Sequence, residues 1–499
     1  MTRCLPNAWM TLCVLFVPLY TSLSTSLPRT RYGVVLDAGS SGTKVKAYRW
    51  QTTGRLSDLP RMELIQSSNL KFRPGIGYFA RHQDELWPYM ASIISRVNEL
   101  IPEDAIADTP LYLMATAGAR ILDARIALGL LNRIRIFLGN STVNPFSFTP
   151  THVRILSGEE EGVYAWLAVN SLLGFFHTQR MPTESVGVLE MGGGSTQIAF
   201  VPQGPLYAEE FQIHVAARRF DLYVHSYLFY GSNYMQRRVN VLTSGHAHSD
   251  QGTTRVMCPG DSTTFKDELG DTFEFRGTGN PDLCAEHIRH FLRKASDSMC
   301  QPKPCAVGAV YQPSVGNMTF YATQGFVYTL QNVKALGEDR ILNITKLRAI
   351  GDEYCQKSLD SVIEQLKINR KFASEECFMS LYISLLLAHG YGISDDTNVV
   401  KVTNKIDDTR IDWTLGVLLY EQSMALQSER LSLAAQCVTV RPKLIHVNST
   451  DERPDDVGYT LDPGSVRPVA SHSGARRVRL DVVMVTLNIL ITGNTLSRQ

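Results

Sequence analysis

The sequence predicts an α/β protein built from two related domains. A strand–loop–strand pattern occurs twice, about 150 residues apart, which is the mark of a duplicated unit. Strand-like and helix-like apolar stretches alternate over most of the chain, the order from which helix-flanked sheets are made. A length of 499 residues also exceeds the usual size of one domain.

The first copy of the pattern is Tyr32-Gly-Val-Val-Leu-Asp37-Ala-Gly39-Ser40-Ser41-Gly42-Thr43-Lys-Val-Lys-Ala-Tyr48. The second is Val186-Gly-Val-Leu-Glu190-Met-Gly192-Gly193-Gly194-Ser195-Thr196-Gln197-Ile-Ala-Phe200. Each is an apolar, β-branched strand ending in a carboxylate, then a Gly/Ser turn, then a second strand, so each reads as a β-hairpin. Between them, residues 83–100 carry Leu86, Met90, Ile93, Ile94, Val97 and Leu100 at helical spacing. A strand over 110–115 leads into a loop at Thr116–Arg120, a helix is expected over 121–137, and 153–156 is a short strand. The stretch 159–173 reads as a helix whose acidic first turn suits the positive end of its dipole. Helical patterns return at 286–296, 343–367 and 377–389 and fade beyond about 434. Residues 451–477, rich in Pro, Ser, Gly and charge, read as a mobile tail.

Lys and Arg number 49 against 48 acidic residues, which excludes a broad nucleic-acid-binding surface but leaves room for a small anion held by a few backbone amides and a metal ion. Arg3 precedes an apolar stretch over 8–20, followed by the small residues of 21–26. That stretch is short for a membrane span and is interrupted by Pro18, so it reads as a signal peptide, with a retained signal anchor as the alternative. Near the other end, 482–491 is apolar but too short to span. Cys258, Cys284, Cys300, Cys305, Cys355 and Cys377 form an even set of six without the paired spacing of a zinc site, which in an exported chain implies three disulfides. Of the other three, Cys4 and Cys13 lie in the signal region and Cys437 is left over as a buried thiol. Sequons at Asn140, Asn317, Asn343 and Asn448 fit a glycoprotein.

The chemistry resides in the two turns. Glycine and serine let successive backbone N–H groups approach a phosphate without a β-carbon in the way. Facing each other, two such loops would grip adjacent phosphates. Asp37 and Glu190 would then hold a hydrated divalent cation, Mg²⁺ or Ca²⁺, between them, since both ions take oxygen ligands and Mg²⁺ binds through few carboxylates. Turn capping is the structural alternative for the same two acids.

Five segments in order now resemble a known family. Asp37-Ala-Gly-Ser-Ser-Gly-Thr43, Ala115-Thr-Ala-Gly-Ala-Arg120, Gly158-Glu-Glu-Glu-Gly-Val-Tyr-Ala-Trp166, Glu190-Met-Gly-Gly-Gly-Ser-Thr-Gln197 and Asp412-Trp-Thr-Leu-Gly416 look like the apyrase motifs of the nucleoside triphosphate diphosphohydrolases (ecto-apyrases). The resemblance implies the actin, heat-shock ATPase and sugar-kinase superfold, in which two ribonuclease-H-like lobes enclose a nucleotide. It implies a first lobe over 28–170 completed by about 420–445, a second over 171–419, a signal segment at 1–27 and a tail at 446–499. It makes nucleoside tri- and diphosphates the substrates and places the chain in the secretory pathway, at the cell surface, outside the cell, or in the Golgi or lysosome lumen. By the same similarity Glu161 is the general base, Ser195 and Gln197 position the water, and Thr116 lies close to it. Ser40, Ser41, Gly42, Thr43, Gly193, Gly194 and Ser195 hold phosphates, and Tyr328 stacks on the base. Lys44 adds a point charge or is a strand lysine. Arg120 is an ion-pair partner or a phosphate contact, and Trp413 packs the lobes together.

The chain departs from the family pattern in three places. Glu190 stands where Asp is usual, Gly42 replaces a His common in cell-surface members, and one cysteine pair is missing, with Phe229 at one of its positions. The family register then pairs Cys258–Cys284, Cys300–Cys305 and Cys355–Cys377. Competing readings are a phosphotransferase of the same superfold, or a non-catalytic nucleotide-binding glycoprotein; on each reading the N-terminal segment, if retained, is the membrane attachment.

Overall fold

Ten-residue strands β1 (Thr30–Gly39) and β2 (Gly42–Gln51) pair antiparallel, with Gly39 opposite Gly42 across the tip. The computed structural model describes residues 29–52, 59–65, 70–244, 254–256, 262–266, 272–277, 279–292 and 300–438. Strands β3 (Glu63–Leu64) and β4 (Leu70–Phe72) both pair with β2, while β5 (Leu111–Ala115) and β6 (Val153–Ile155) extend the sheet in parallel from β1. In the second half β7 (Gly187–Met191) and β8 (Ser195–Phe200) form the equivalent hairpin, followed by β9 (Glu210–Val215) and β10 (Arg218–Leu228). A small sheet is made of β11 (Thr254–Val256), β12 (Ser262–Lys266) and β13 (Thr272–Gly277). Strands β14 (Thr319–Gln324) and β15 (Val399–Val402) then run parallel to β7. The two large sheets thus read β6-β5-β1-β2-β3 and β15-β14-β7-β8-β10-β9. Each is an antiparallel set joined to two parallel strands through the first strand of its hairpin, so the fold is the two-lobed, ribonuclease-H-like α/β arrangement of the actin-like ATPases.

Both faces of β1 are buried, and its alternate residues enter different cores, as a central strand requires. Val34, Leu36 and Ala38 pack beneath helices α1 (Leu86–Asn98) and α3 (Ala124–Gly139), with the one-turn helix α2 (Ala117–Arg120) between them in the chain. Val35 joins a second core made with α4 (Gly158–Leu172), and there it meets Val188 and Ala199 of the other sheet. The far face of the second sheet is covered by α6 (Pro281–Phe291), α7 (Gly325–Asn332), α8 (Ile344–Cys355), α9 (Leu359–Leu366) and α10 (Arg370–Leu385), after α5 (Ser232–Ser244). The last helix among the described residues, α11 (Trp413–Val438), lies in the shared middle core beside α4. Helix α11 also reaches β1: Leu418 lies against Gly33, and Trp413 is buried in the middle core.

The middle layer depends on close helix approach. A β-carbon on Gly416 would stand 2.0 Å from the Tyr164 carbonyl oxygen. Gly416→Ala gains about 1 kcal/mol of helix propensity, but overpacking against backbone that cannot rotate aside costs about 1–3 kcal/mol or more. The expected result is a net loss of stability, read as a lower denaturant midpoint; an unchanged or raised midpoint would show that α4 and α11 can separate freely.

The helices expected at 83–100, 121–137 and 159–173 hold to within a turn, whereas those expected at 286–296 and 377–389 begin earlier, at Pro281 and Arg370, and the loop expected at Thr116–Arg120 is the one-turn helix α2. The stretch 343–367 is not one helix: it breaks between Cys355 and Leu359, because the Ser358 hydroxyl caps a new helix by accepting from the Ser361 N–H. Cys300 is bonded to Cys305 and Cys355 to Cys377. Cys284 is disulfide-bonded as well, but Cys258 lies outside the described residues, as do segment 1–27, Asn448, the tail 446–499 and the Cys437 side chain. Asn140, Asn317 and Asn343 are exposed. Asn343 caps α8 through its Oδ1, which accepts from the Lys346 N–H. Among the described residues no helix is long and apolar enough to cross a membrane.

Candidate active site

Strand parity places the polar residues. Side chains two apart share a face, so Asp37 lies on the side of Val35, and Glu190 on the side of Val188. Ser195 and Gln197 share a face with Ala199, and Thr116, just past β5, follows Tyr112 and Met114. All of these face the middle layer, where the two hairpin tips meet. The approach is close: a β-carbon on Gly193 would lie 3.7 Å from the Ser40 hydroxyl, and one on Gly194 would lie 2.8 Å from the Ala117 β-carbon.

The second loop is fixed from behind. The carbonyls of Gly192, Gly193 and Gly194 accept from the N–H groups of Ser232, of Asn233 and Tyr234, and of Phe229. A trans peptide holds C=O and N–H in opposite directions. The amides of Gly193, Gly194 and Ser195 are therefore turned away from that support. The first loop is held by glycines: β-carbons on Gly75 and Gly118 would meet the Ser40 backbone at 2.1 and 2.7 Å. Gly42 is also confined, because a side chain there would begin 2.4 Å from the Phe72 carbonyl oxygen. That contact is a steric reason for its not being histidine.

At the start of α4 the three consecutive glutamates have different surroundings. Glu160 closes a capping box with Ser157 and pairs with Arg154. Glu161 is buried and turned inward, where its Oε2 accepts from Arg120 Nη2 at 2.9 Å and from Gln197 Nε2 at 3.3 Å. Arg120 Nη2 also reaches the Ser195 hydroxyl at 3.1 Å, and Gln197 Nε2 lies 2.8 Å from the same oxygen. Burial pushes the Glu161 carboxyl above the ordinary range, Arg120 opposes this, and Asp37 adds to it. Arg120 is thus an ion-pair partner of Glu161.

Asp37 and Glu190 are buried at the ends of the equivalent strands. Lys44, opposite Asp37 in the β1–β2 register, donates to its Oδ2 at 3.0 Å, and Asp37 raises the lysine's affinity for its proton. Glu190 is driven far up by burial, then by Glu161 and Asp412, and Asp37 contributes too. Its Oε2 is buried without a hydrogen-bond partner. Glu161, Asp412 and Asp37 thus all disfavour charge on Glu190, and its unpartnered buried oxygen suits a hard cation. Among the described residues no three His, Cys, Asp or Glu side chains form a metal cage. A hydrated divalent ion needs only one or two carboxylates besides substrate phosphates, so Asp37 and Glu190 fit such an ion.

Several participants carry no motif of their own. Buried Lys46 pairs with Asp412 at 3.4 Å, and Tyr48 hydrogen-bonds Thr414 at 2.9 Å, tying the start of α11 to β2. Although burial works against it, Lys46 and Lys44 keep the Asp412 carboxyl below its usual range. Ser226, opposite Gln197 on β10, takes a hydrogen bond from its amide at 3.1 Å, and a β-carbon on Gly158 would collide with it. Only the β8–β10 register reveals Ser226. Tyr328 stands apart: it is exposed on α7, its hydroxyl 3.4 Å from Arg410 Nη2, while Phe326 two residues earlier points into the core.

The sequence profile of the GDA1/CD39 (nucleoside phosphatase) family matches residues 24–434. Ectonucleoside triphosphate diphosphohydrolase 1 of Bos taurus is 30% identical over 425 residues, spanning 78% of this chain and 80% of its own. The Golgi apyrase of Saccharomyces cerevisiae is 26% identical, over 79% of this chain and 71% of its own. Among solved structures, nucleoside triphosphate hydrolases from Neospora caninum superpose with a TM-score of 0.56 at 17% identity, covering 79% of this chain and 92% of that one. That last likeness is one of fold.

Proposed function

The chain belongs to the GDA1/CD39 (nucleoside phosphatase) family, and on that footing we propose that it hydrolyses nucleoside tri- and diphosphates in the secretory pathway. The observation that carries this reading is the buried Glu161–Arg120–Ser195–Gln197 cluster beside two facing Gly/Ser loops. Phosphoanhydride hydrolysis requires an in-line water, a base for its proton, and positive charge around the transferred phosphoryl group. Glu161 takes the proton as the water oxygen bonds to the terminal phosphorus. The bridging P–O bond breaks, and its electron pair leaves with the shortened nucleotide. Ser195 and Gln197 orient the water, with Thr116 beside it. Ser40, Ser41, Gly42 and Thr43 and the amides of Gly193, Gly194 and Ser195 hold phosphates, and Arg120 offsets charge. Asp37 and Glu190 would hold Mg²⁺ or Ca²⁺, which supplies charge neutralisation to the phosphate oxygens. Exposed Tyr328 offers its ring to the base. Exposed sequons and half-cystines support a lumenal or extracellular glycoprotein.

The test is phosphate release by the purified full-length protein from ATP, ADP, UDP and GDP, with Mg²⁺ or Ca²⁺ and without any acceptor. Release that falls to background in excess chelator is expected. Release that persists in chelator would overturn the Asp37/Glu190 cation site. Transfer seen only when a hydroxyl acceptor is added would make the protein a phosphotransferase.

A further inference from the structure

A row of side chains beside the first loop ends in a lysine that takes no part in the proposed hydrolysis. Asp37 on β1 faces Lys44 on β2, and Lys44 faces Lys71 on β4. Directly paired residues in a sheet present their side chains to the same face. The row therefore runs acid, base, base toward the outer edge of the site. Lys44 is matched by Asp37. Lys71 instead crosses the hairpin tip and donates to the Ser41 hydroxyl at 2.9 Å, and among the described residues it meets no carboxylate. Gly42 leaves room for the crossing, since a β-carbon there would lie 2.9 Å from Lys71 Cε. The strand that carries Lys71 is tied down. The Tyr89 hydroxyl donates to the carbonyl of Pro74 at 3.1 Å, and Gly75 packs on the Ser40 backbone. Partial burial, then Arg73 and Lys44, depress the lysine's affinity for its proton, and Asp37 offsets this only in part.

An unmatched ammonium fixed over a phosphate-binding loop invites an anion. The geometry points to Lys71 as a further substrate-binding residue: its ammonium contacts the phosphate chain beside Ser41 and favours triphosphates over diphosphates, which carry less negative charge. This rests on the nucleotide-hydrolase reading above. Through Coulomb attraction in a half-exposed place, Lys71→Gln is expected to raise KM about tenfold for ATP and about threefold for ADP, with kcat within about twofold. Lys71→Arg should restore most of the loss, and raising ionic strength should narrow the gap between wild type and Lys71→Gln.

Steady-state kinetics on the full-length protein, with melting temperatures for each variant, make the test. Equal KM values in wild type and Lys71→Gln would overturn the proposal, as would an Arg variant no better than Gln. A parallel fall in kcat and melting temperature would also overturn it, by showing a structural role. If the wild-type protein releases no phosphate, the hydrolase reading fails. Calorimetric Kd values for ATP and ADP in wild type and Lys71→Gln then decide the role of Lys71 independently.

Discussion

Glu161→Gln is expected to lower kcat by about a thousandfold, within the 10²–10⁴ that general-base groups contribute, while nucleotide affinity stays close to wild type. The amide keeps the size of the side chain and can still accept from Arg120 and Gln197, the two groups that hold Glu161 Oε2. It cannot take a proton from water. Folding should survive, because burial already opposes charge on Glu161 and a neutral group escapes that cost. What the variant does lose is the partner charge for Arg120, a smaller defect since Arg120 still reaches Ser195 and the Leu156 carbonyl. Glu160→Gln provides the contrast. It loosens a capping box and an Arg154 ion pair, and should cost about 1 kcal/mol of stability with phosphate release nearly unchanged. If Glu161→Gln retains kcat within a few-fold, the base is elsewhere. If Glu160→Gln is the inactive one, the assignment within the triplet is wrong.

The two lobes were legible because the same local chemistry is written twice. A β-branched run, a carboxylate, a Gly/Ser turn and a second run specify a hairpin without knowledge of anything distant. Strand parity then sends Asp37, Glu190, Ser195 and Gln197 to one face, which alternation of the sequence already encodes. Glu161 was not separable from Glu159 and Glu160 by local chemistry, since any of them suits a helix start; only similarity singled it out. The structure distinguishes them by giving Glu160 the cap and Glu161 the burial. Contacts that depend on register between distant strands were hidden. Ser226 beside Gln197, Lys46 against Asp412, and Lys71 over Ser41 join residues 29, 366 and 30 positions apart. The break at Ser358 was hidden differently, because a continuous helical period conceals a cap that competes locally with the backbone.

Arg120→Gln should separate two duties of one guanidinium through opposite responses to pH. Its positive charge holds down the proton affinity of Glu161, against the upward push of burial. Removing it raises that affinity further. The base works only when ionised, so the acid limb of kcat/KM should move to higher pH, and the activity ratio of variant to wild type should improve as pH rises. Loss of charge on the transferred phosphoryl group adds about 10²–10³ at every pH. Stability should run the other way. A carboxyl whose folded proton affinity is raised favours the fold at pH below its unfolded pKa, and that advantage is lost as pH climbs toward the folded value. In the variant, Glu161 must be buried either protonated or unpaired, and an unpaired buried charge costs about 3–5 kcal/mol. The melting temperature of Arg120→Gln should therefore fall, relative to wild type, over the same pH range in which its relative activity climbs. Arg120→Lys keeps a charge near Glu161 and should leave the acid limb nearly in place, while losing the fork that reaches Glu161 and Ser195 together. An acid limb that does not move in Arg120→Gln would mean that Arg120 serves the phosphate alone. A shift to lower pH would contradict the electrostatics of the cluster outright.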